Sequence, residues 1–308
     1  MSNLLSVAEV IAPIFVAICL GILARKKAVL SAGDIRGLQQ FVMNFALPCI
    51  IFNSCLTAQI GIESIGTMLL VLPCMLLSTF LAFSVLKKKF GYHNLPMLFA
   101  AQETGMLGIP LFMILFGADQ AYRIGVLDLI QGCTAFPVIA ILSSKAEAGP
   151  SPREILRNMF RSPLLIMSLT GLFLNITGIG AFLHSIGLRD IITSTMSFLG
   201  QPVSALMIFC VGYNFSLDRD FRTPIMKIAG FHFALFAVFC VVMQGALFLI
   251  PNTNILSRWA ILLYCLLPAS YLAPSLGKDT KDFTVASGVC SLLTPVTLIG
   301  FCILAALA

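Results

Sequence analysis

The chain has 308 residues, 59% hydrophobic and 10% charged, with a net charge of +6 and a mean hydropathy of +1.00. Soluble domains carry about a quarter charged residues, so this composition excludes a soluble protein and puts the chain in a bilayer. In that setting the positive balance is first a topology signal, before it is an argument for an anionic partner.

A helix needs about 20 apolar residues to cross the hydrocarbon core, and ten such segments follow one another. They are Leu4–Ala24, Leu38–Cys55, Ile65–Leu86, Leu95–Gly117, Ile124–Leu142, Pro163–Ile179, Ile191–Tyr213, Ala229–Ile250, Trp259–Gly277 and Phe283–Leu307. The first is not read as a signal peptide. No basic residue precedes it, and Arg25, Lys26 and Lys27 come directly after it, which makes it an anchor whose start lies outside. The expected fold class is therefore an all-α polytopic membrane protein of ten transmembrane helices.

The loops agree with that count. Arg25, Lys26, Lys27 and Arg36 follow span one, Lys87, Lys88 and Lys89 span three, and Lys145, Arg153, Arg157 and Arg161 span five. Arg219, Arg222 and Lys227 follow span seven, and Lys278 and Lys281 span nine, leaving only Arg123, Arg189 and Arg258 for the other side. The positive-inside bias puts the five basic loops in the cytoplasm and both termini outside. A multi-pass position in the cell membrane, as in a bacterial inner membrane, is the expected location. The connector at 145–161, with Gly149, Pro150 and Pro152, separates five spans in 1–144 from five in 162–308. An odd number of spans per half gives the halves opposite orientations, the arrangement of an inverted repeat.

Spans four and nine are the equivalent pair that are both interrupted in mid-run, reading "LPMLFAAQETGMLGIPLFMILFG" and "WAILLYCLLPASYLAPSLG". Proline removes a backbone donor, and glycine lowers helix propensity. The expected helix breaks are Gly108 and Pro110 in one span, Pro268 and Pro274 in the other. Freed backbone groups cannot face lipid and must line protein or a water-filled cavity. Paired interruptions of this kind point to the central site of a secondary transporter.

Glu103 falls near the middle of span four. An acidic side chain there costs on the order of 2.5–3.5 kcal/mol on insertion scales and is a functional candidate by default. It is the expected proton-coupling group, a carboxyl that gains and loses a proton during transport. Asp128, three residues before Gln131 on one helix face, is the second acidic candidate. Asn44 and Gln201 each lie close before the proline of their half's second span (Pro48, Pro202). The expected substrate-binding set is Asn44, Gln102, Glu103, Thr104, Gly105, Asp128, Gln131, Gln201, Pro268, Ala269, Ser270 and Tyr271.

The ten cysteines fall in apolar runs without a CxxC pair and read as small buried hydrophobes, with no disulfide framework or metal site. No GxxxxGK[ST], HExxH or GxSxG motif occurs, so neither nucleotide-driven transport nor hydrolase chemistry is expected. The chain reads as a non-enzyme without cofactors.

The stretch "GMLGIPLFMILFG" resembles the fourth span of the auxin efflux carrier family, and "LLPASYLAP" that family's ninth-span Leu-Pro pattern. "IAPIFVAICLGILARKKAVL" and "ALPCIIF" fit as well, and the similarity runs along the whole chain, which has the size of a bacterial, loopless member. The family is similar to the ten-helix carriers of the bile-acid/sodium symporter type. The resemblance implies that spans four and nine cross at mid-membrane. It also implies a scaffold of spans one, two, six and seven, and a transport core of spans three to five and eight to ten. Glu103 occupies the position where the family usually has Asn, Pro268 matches the ninth-span crossover proline, and Gln102 stands where plant members have the fourth-span proline.

The functional expectation is a secondary active permease for a small organic anion, a mono- or dicarboxylate, coupled to protons. Sodium-coupled symport, or a membrane sensor that binds at the same site without transport, are the alternatives. Expected partners are that anion, a proton or sodium ion, the lipid bilayer and a second copy of the chain in a homodimer; nucleic acid is not among them.

Overall fold

The computed structural model describes residues 2–58, 62–144, 153, 157, 160–214, 221–250 and 253–307. The expected connector at 145–161 falls mostly outside the described residues, as does Arg219. Among the described residues the chain is helical, without a strand: α1 (Ser2–Lys26), α2 (Ala32–Thr57), α3 (Glu63–Phe90), α4 (Met97–Ala100), α5 (Thr104–Phe116) and α6 (Ala121–Ser144). After the connector come α7 (Pro163–Ile176), α8 (Ile179–Ser185), α9 (Leu188–Asn214), α10 (Arg222–Leu249), α11 (Ile255–Leu266) and α12 (Thr280–Leu307).

Five of these, α2, α3, α9, α10 and α12, are long and apolar enough to cross a membrane. The pair α7 and α8 would make a sixth span, bent by 75° at Gly178, whose φ of +76° suits a residue without a Cβ. Helices α1 and α6 are 25 and 24 residues long, about 36–38 Å at 1.5 Å per residue. The expected fourth and ninth spans are each divided. The first splits into α4 and α5; the second ends as α11 and resumes as a 3₁₀ turn at Ala273–Leu276.

Helix α1 packs on the second half of α9, and α2 packs on α7. Both contacts are close because glycine lies in them. A Cβ on Gly21 would stand 2.2 Å from the Phe209 carbonyl oxygen, one on Gly212 2.3 Å from that of Ile18, and one on Gly171 2.6 Å from that of Phe52. Small residues let helix backbones approach in this way where lipid supplies no hydrophobic drive. Asn175 fastens the second contact, its Nδ2 donating to the carbonyls of Cys55 (2.8 Å) and Ala58 (2.7 Å). In a second group α3 packs on α6, and α10 on α11 and α12. Large apolar side chains are exposed on many helices, among them Leu69, Phe80, Phe173, Val241 and Ile299. In water such a surface would aggregate; against acyl chains it is the solvated face.

Candidate functional site

The two breaks meet. Glu103 N–H donates to the Pro268 carbonyl at 2.9 Å, and Ser270 N–H to the Ala101 carbonyl at 3.1 Å. These bonds form an isolated antiparallel bridge between Gln102 and Ala269, a two-bond piece of sheet inside a helical protein. Each extended segment thus satisfies part of the other's freed backbone, as a lipid-buried site requires.

Side chains complete the pairing. Gln102 N–H donates to Gln131 Oε1 at 2.9 Å, and Gln131 Nε2 donates back to the Gln102 carbonyl at 3.1 Å. Tyr264 OH holds the same Gln131 oxygen at 2.9 Å. The Ala100 carbonyl accepts from Thr134 Oγ1 at 2.7 Å, and the Phe99 carbonyl from Ser78 Oγ at 2.8 Å. On the other segment, Thr297 Oγ1 donates to the Leu266 carbonyl at 2.5 Å.

Glu103 is the N-cap of α5: its Oε1 accepts Met106 N–H at 3.3 Å. Its Oε2 accepts Tyr271 N–H at 2.6 Å, across the crossing. Asp128 is half-buried. Its Oδ1 accepts from Thr104 Oγ1 and, at 2.7 Å, from Gln131 Nε2.

A cavity of about 940 Å³ lies over this crossing. Its floor includes Gln102, Glu103, Thr104, Asp128, Gln131 and Tyr271. It extends to the ends of α1, α2, α9 and α12 through Arg25, Arg36, Asn214 and Phe283, the ends beside the basic loops. Among the described residues, Arg25 and Arg36 are the only cationic side chains that line it, and Glu103 and Asp128 the only acidic ones. At the other end the helices are tied together. Arg123 pairs with Glu63 at 3.4 Å and donates to Ser257 Oγ at 2.7 Å, while Ser54 Oγ donates to the Asp119 carbonyl and accepts Tyr122 N–H.

Of the expected site residues, Gln102, Glu103, Thr104, Gly105, Asp128, Gln131, Ser270 and Tyr271 line this cavity, and so does Pro274. Pro268 and Ala269 are buried in the crossing segment itself. Asn44 and Gln201 lie apart from the others: both are exposed and neither lines the cavity. Asn44 sits in a π turn of α2 (Val42–Ala46) that brings Met43 to the wall instead.

The first break is corrected. It lies at Ala101–Glu103, not at Gly108 and Pro110, which are inside α5. Pro110 is tolerated because α5 opens as a π turn (Thr104–Gly108) and the proline stands in the first α-helical turn after it. Gly108 serves packing, since a Cβ there would lie 2.6 Å from Leu267 Cδ1.

Sequence reading missed Tyr264, Arg25 and Arg36 as site residues. The arginines were legible only as topology signals. Tyr264 could have been found, because a hydroxyl in an apolar run four residues before a break calls for a partner.

Residues 6–149 match a family model described as membrane transport protein. Among curated proteins none matches the chain.

Proposed function

We propose, from the match of residues 6–149 to the membrane transport protein family model and the resemblance to the auxin efflux carriers, that the chain is a secondary active permease for a small organic anion. The observation that carries this reading is the bridged pair of broken segments on the floor of a large cavity between two helix groups. Irregular backbone at mid-membrane that lines a cavity is the usual form of a transporter's central site. The arginines at the mouth suit an entering mono- or dicarboxylate, and the acidic floor suits coupling to protons, with Glu103 as the group that takes one up.

The ten-span, inverted-repeat architecture belongs to the same proposal. Exchanging the halves turns the pair α1–α9 into α7–α2, and α3–α6 into α10–α12; the helix contacts follow that exchange. The first pairs form the scaffold and the second the transport core, and the cavity takes its lining from both. Alternating access follows if the core moves against the scaffold, with basic loops and the cavity mouth facing the cytoplasm and both termini outside.

Counterflow in proteoliposomes tests the function. Labelled mono- and dicarboxylates should exchange saturably against the same unlabelled acid, and a proton gradient should drive net accumulation without sodium. A strict sodium requirement would replace the coupling ion, and saturable binding without exchange would make the protein a sensor.

A further inference from the structure

Two backbone N–H groups, Met106 in the first turn of α5 and Tyr271 in the second break, converge on one carboxyl, that of Glu103. An ordinary N-cap needs only one oxygen, and shorter Asn, Asp or Ser fill that position best. The longer glutamate reaches past its own helix and also fills the donor of the opposing segment. All three residues line the cavity. We propose that these two amides form a carboxylate-binding subsite that Glu103 occupies as a tethered ligand, so that a substrate carboxylate and the Glu103 side chain hold it in turn.

The proposal rests on the organic-anion reading above and gives it a location. Among the described residues the floor offers a substrate carboxylate no cationic side chain, because the two arginines stand at the mouth. The titratable groups facing Glu103 are Asp128 on α6, Tyr271 and Cys290 on α12, none of them cationic. Neutral donors are then left, and of these the Met106 and Tyr271 N–H groups are the two that already converge on one carboxyl; convergent amides are a well-suited anion cradle. Asp128 does not compete for it, since its Oδ1 is bound to Thr104 and Gln131. Wild-type protein therefore carries its own competitor, which must leave the amides before a substrate carboxylate can take them.

Emptying the subsite tests this. Glu103→Ala removes both oxygens; Glu103→Asn keeps a good cap for Met106 but is too short to serve Tyr271 as well. Thermal unfolding is followed in detergent with sodium formate, with sodium chloride at equal ionic strength as the control. Formate at roughly tenfold its Kd should raise the melting temperature of either variant by about 3 °C and leave wild type unmoved. If neither variant folds alone, purification in formate gives the same readout: recovery in formate but not in chloride supports the subsite, and no recovery overturns it. Equal shifts in variant and wild type, or none in the variants, also overturn it. The transport reading is separable. Formate rescue without exchange of any organic acid keeps the subsite and removes the function; organic-acid exchange by wild type without rescue does the opposite.

Discussion

Gln131 on α6 and Gln102 in the first break bind each other reciprocally, side-chain amide to backbone, at 2.9 and 3.1 Å. The side chain takes the place of a neighbouring strand. It supplies both the acceptor and the donor that Gln102 lost when the helix ended. Both residues are buried, at 5% and 2% exposure, where an unmet backbone group costs about 1–3 kcal/mol.

Gln131→Leu keeps the volume and removes the pairing. It leaves Gln102 N–H, its carbonyl and the Tyr264 hydroxyl without this partner. The expected loss is about 2–4 kcal/mol, read as a lower melting temperature in detergent. A melting temperature within a degree of wild type would show that water fills the gap as well as the glutamine does.

A second prediction concerns the contact of α1 with α9. Gly212→Ala would put a Cβ 2.3 Å from the Ile18 oxygen and 2.7 Å from its Cα. Backbone cannot step aside as a side-chain tip can, so the helices must separate, at about 1–3 kcal/mol. Gly230→Ala, with open space around it on α10, is the control and should be neutral or slightly stabilising. Equal effects would mean that helix propensity, not packing, sets the result.

Spans two, three, seven, eight and ten were legible from hydropathy, since each corresponds to a helix that passes by length and composition. The crossing was legible in kind but misplaced in detail. Proline and glycine marked the region; the break itself fell on Ala101–Glu103, which no helix-breaking residue announces. What ends the helix there is tertiary: Gln131 and Pro268 offer Gln102 and Glu103 better partners than the helix does. Asn44 and Gln201 lie off the cavity for a related reason. Polarity near a proline says nothing about which face of the helix a residue takes, and both face outward.

Orientation gives a third prediction. Sixteen of the 19 basic residues flank alternate spans, so alkaline phosphatase fused after Ala308 should be active and a green fluorescent protein fusion dark. The reverse pattern would discard the ten-span topology along with the cytoplasmic placement of the cavity mouth.

His93 lies in the loop between α3 and α4, its Nε2 3.2 Å from the Leu142 carbonyl. Burial pushes its pKa below the ordinary value of 6.5, and Lys87 and Lys278 add to that; the Leu142 carbonyl and Asp282 oppose it. In the folded protein it is neutral where the unfolded chain already takes up a proton. Between pH 6.5 and the lower folded value the unfolded state binds more protons, so stability falls as pH falls. His93→Gln should flatten that decline between pH 7.5 and 5.5 while its backbone N–H keeps the 3.1 Å bond to Asp282. A variant that loses as much as wild type over this range would assign the acid sensitivity elsewhere.

The last prediction turns on charge at the crossing. Glu103→Gln preserves the length and one good acceptor, which holds Met106 N–H or Tyr271 N–H but not both as the carboxylate does. It fixes the position neutral, as a protonated Glu103 would be. If Glu103 carries the coupling proton, the variant should still bind and exchange a carboxylate substrate, because nothing charged competes for the two amides. Binding should lose its dependence on pH, and a proton gradient should no longer drive accumulation above the exchange level. The competing account makes Glu103 a fixed brace between α5 and the second break. On that account the substitution weakens the brace and lowers the melting temperature, but leaves the pH profile of binding as in wild type. Measuring affinity at three pH values, alongside counterflow and gradient-driven uptake in the same liposomes, separates the two. Retained accumulation with an unaltered pH profile would pass the coupling role to Asp128, the other carboxyl on the cavity floor.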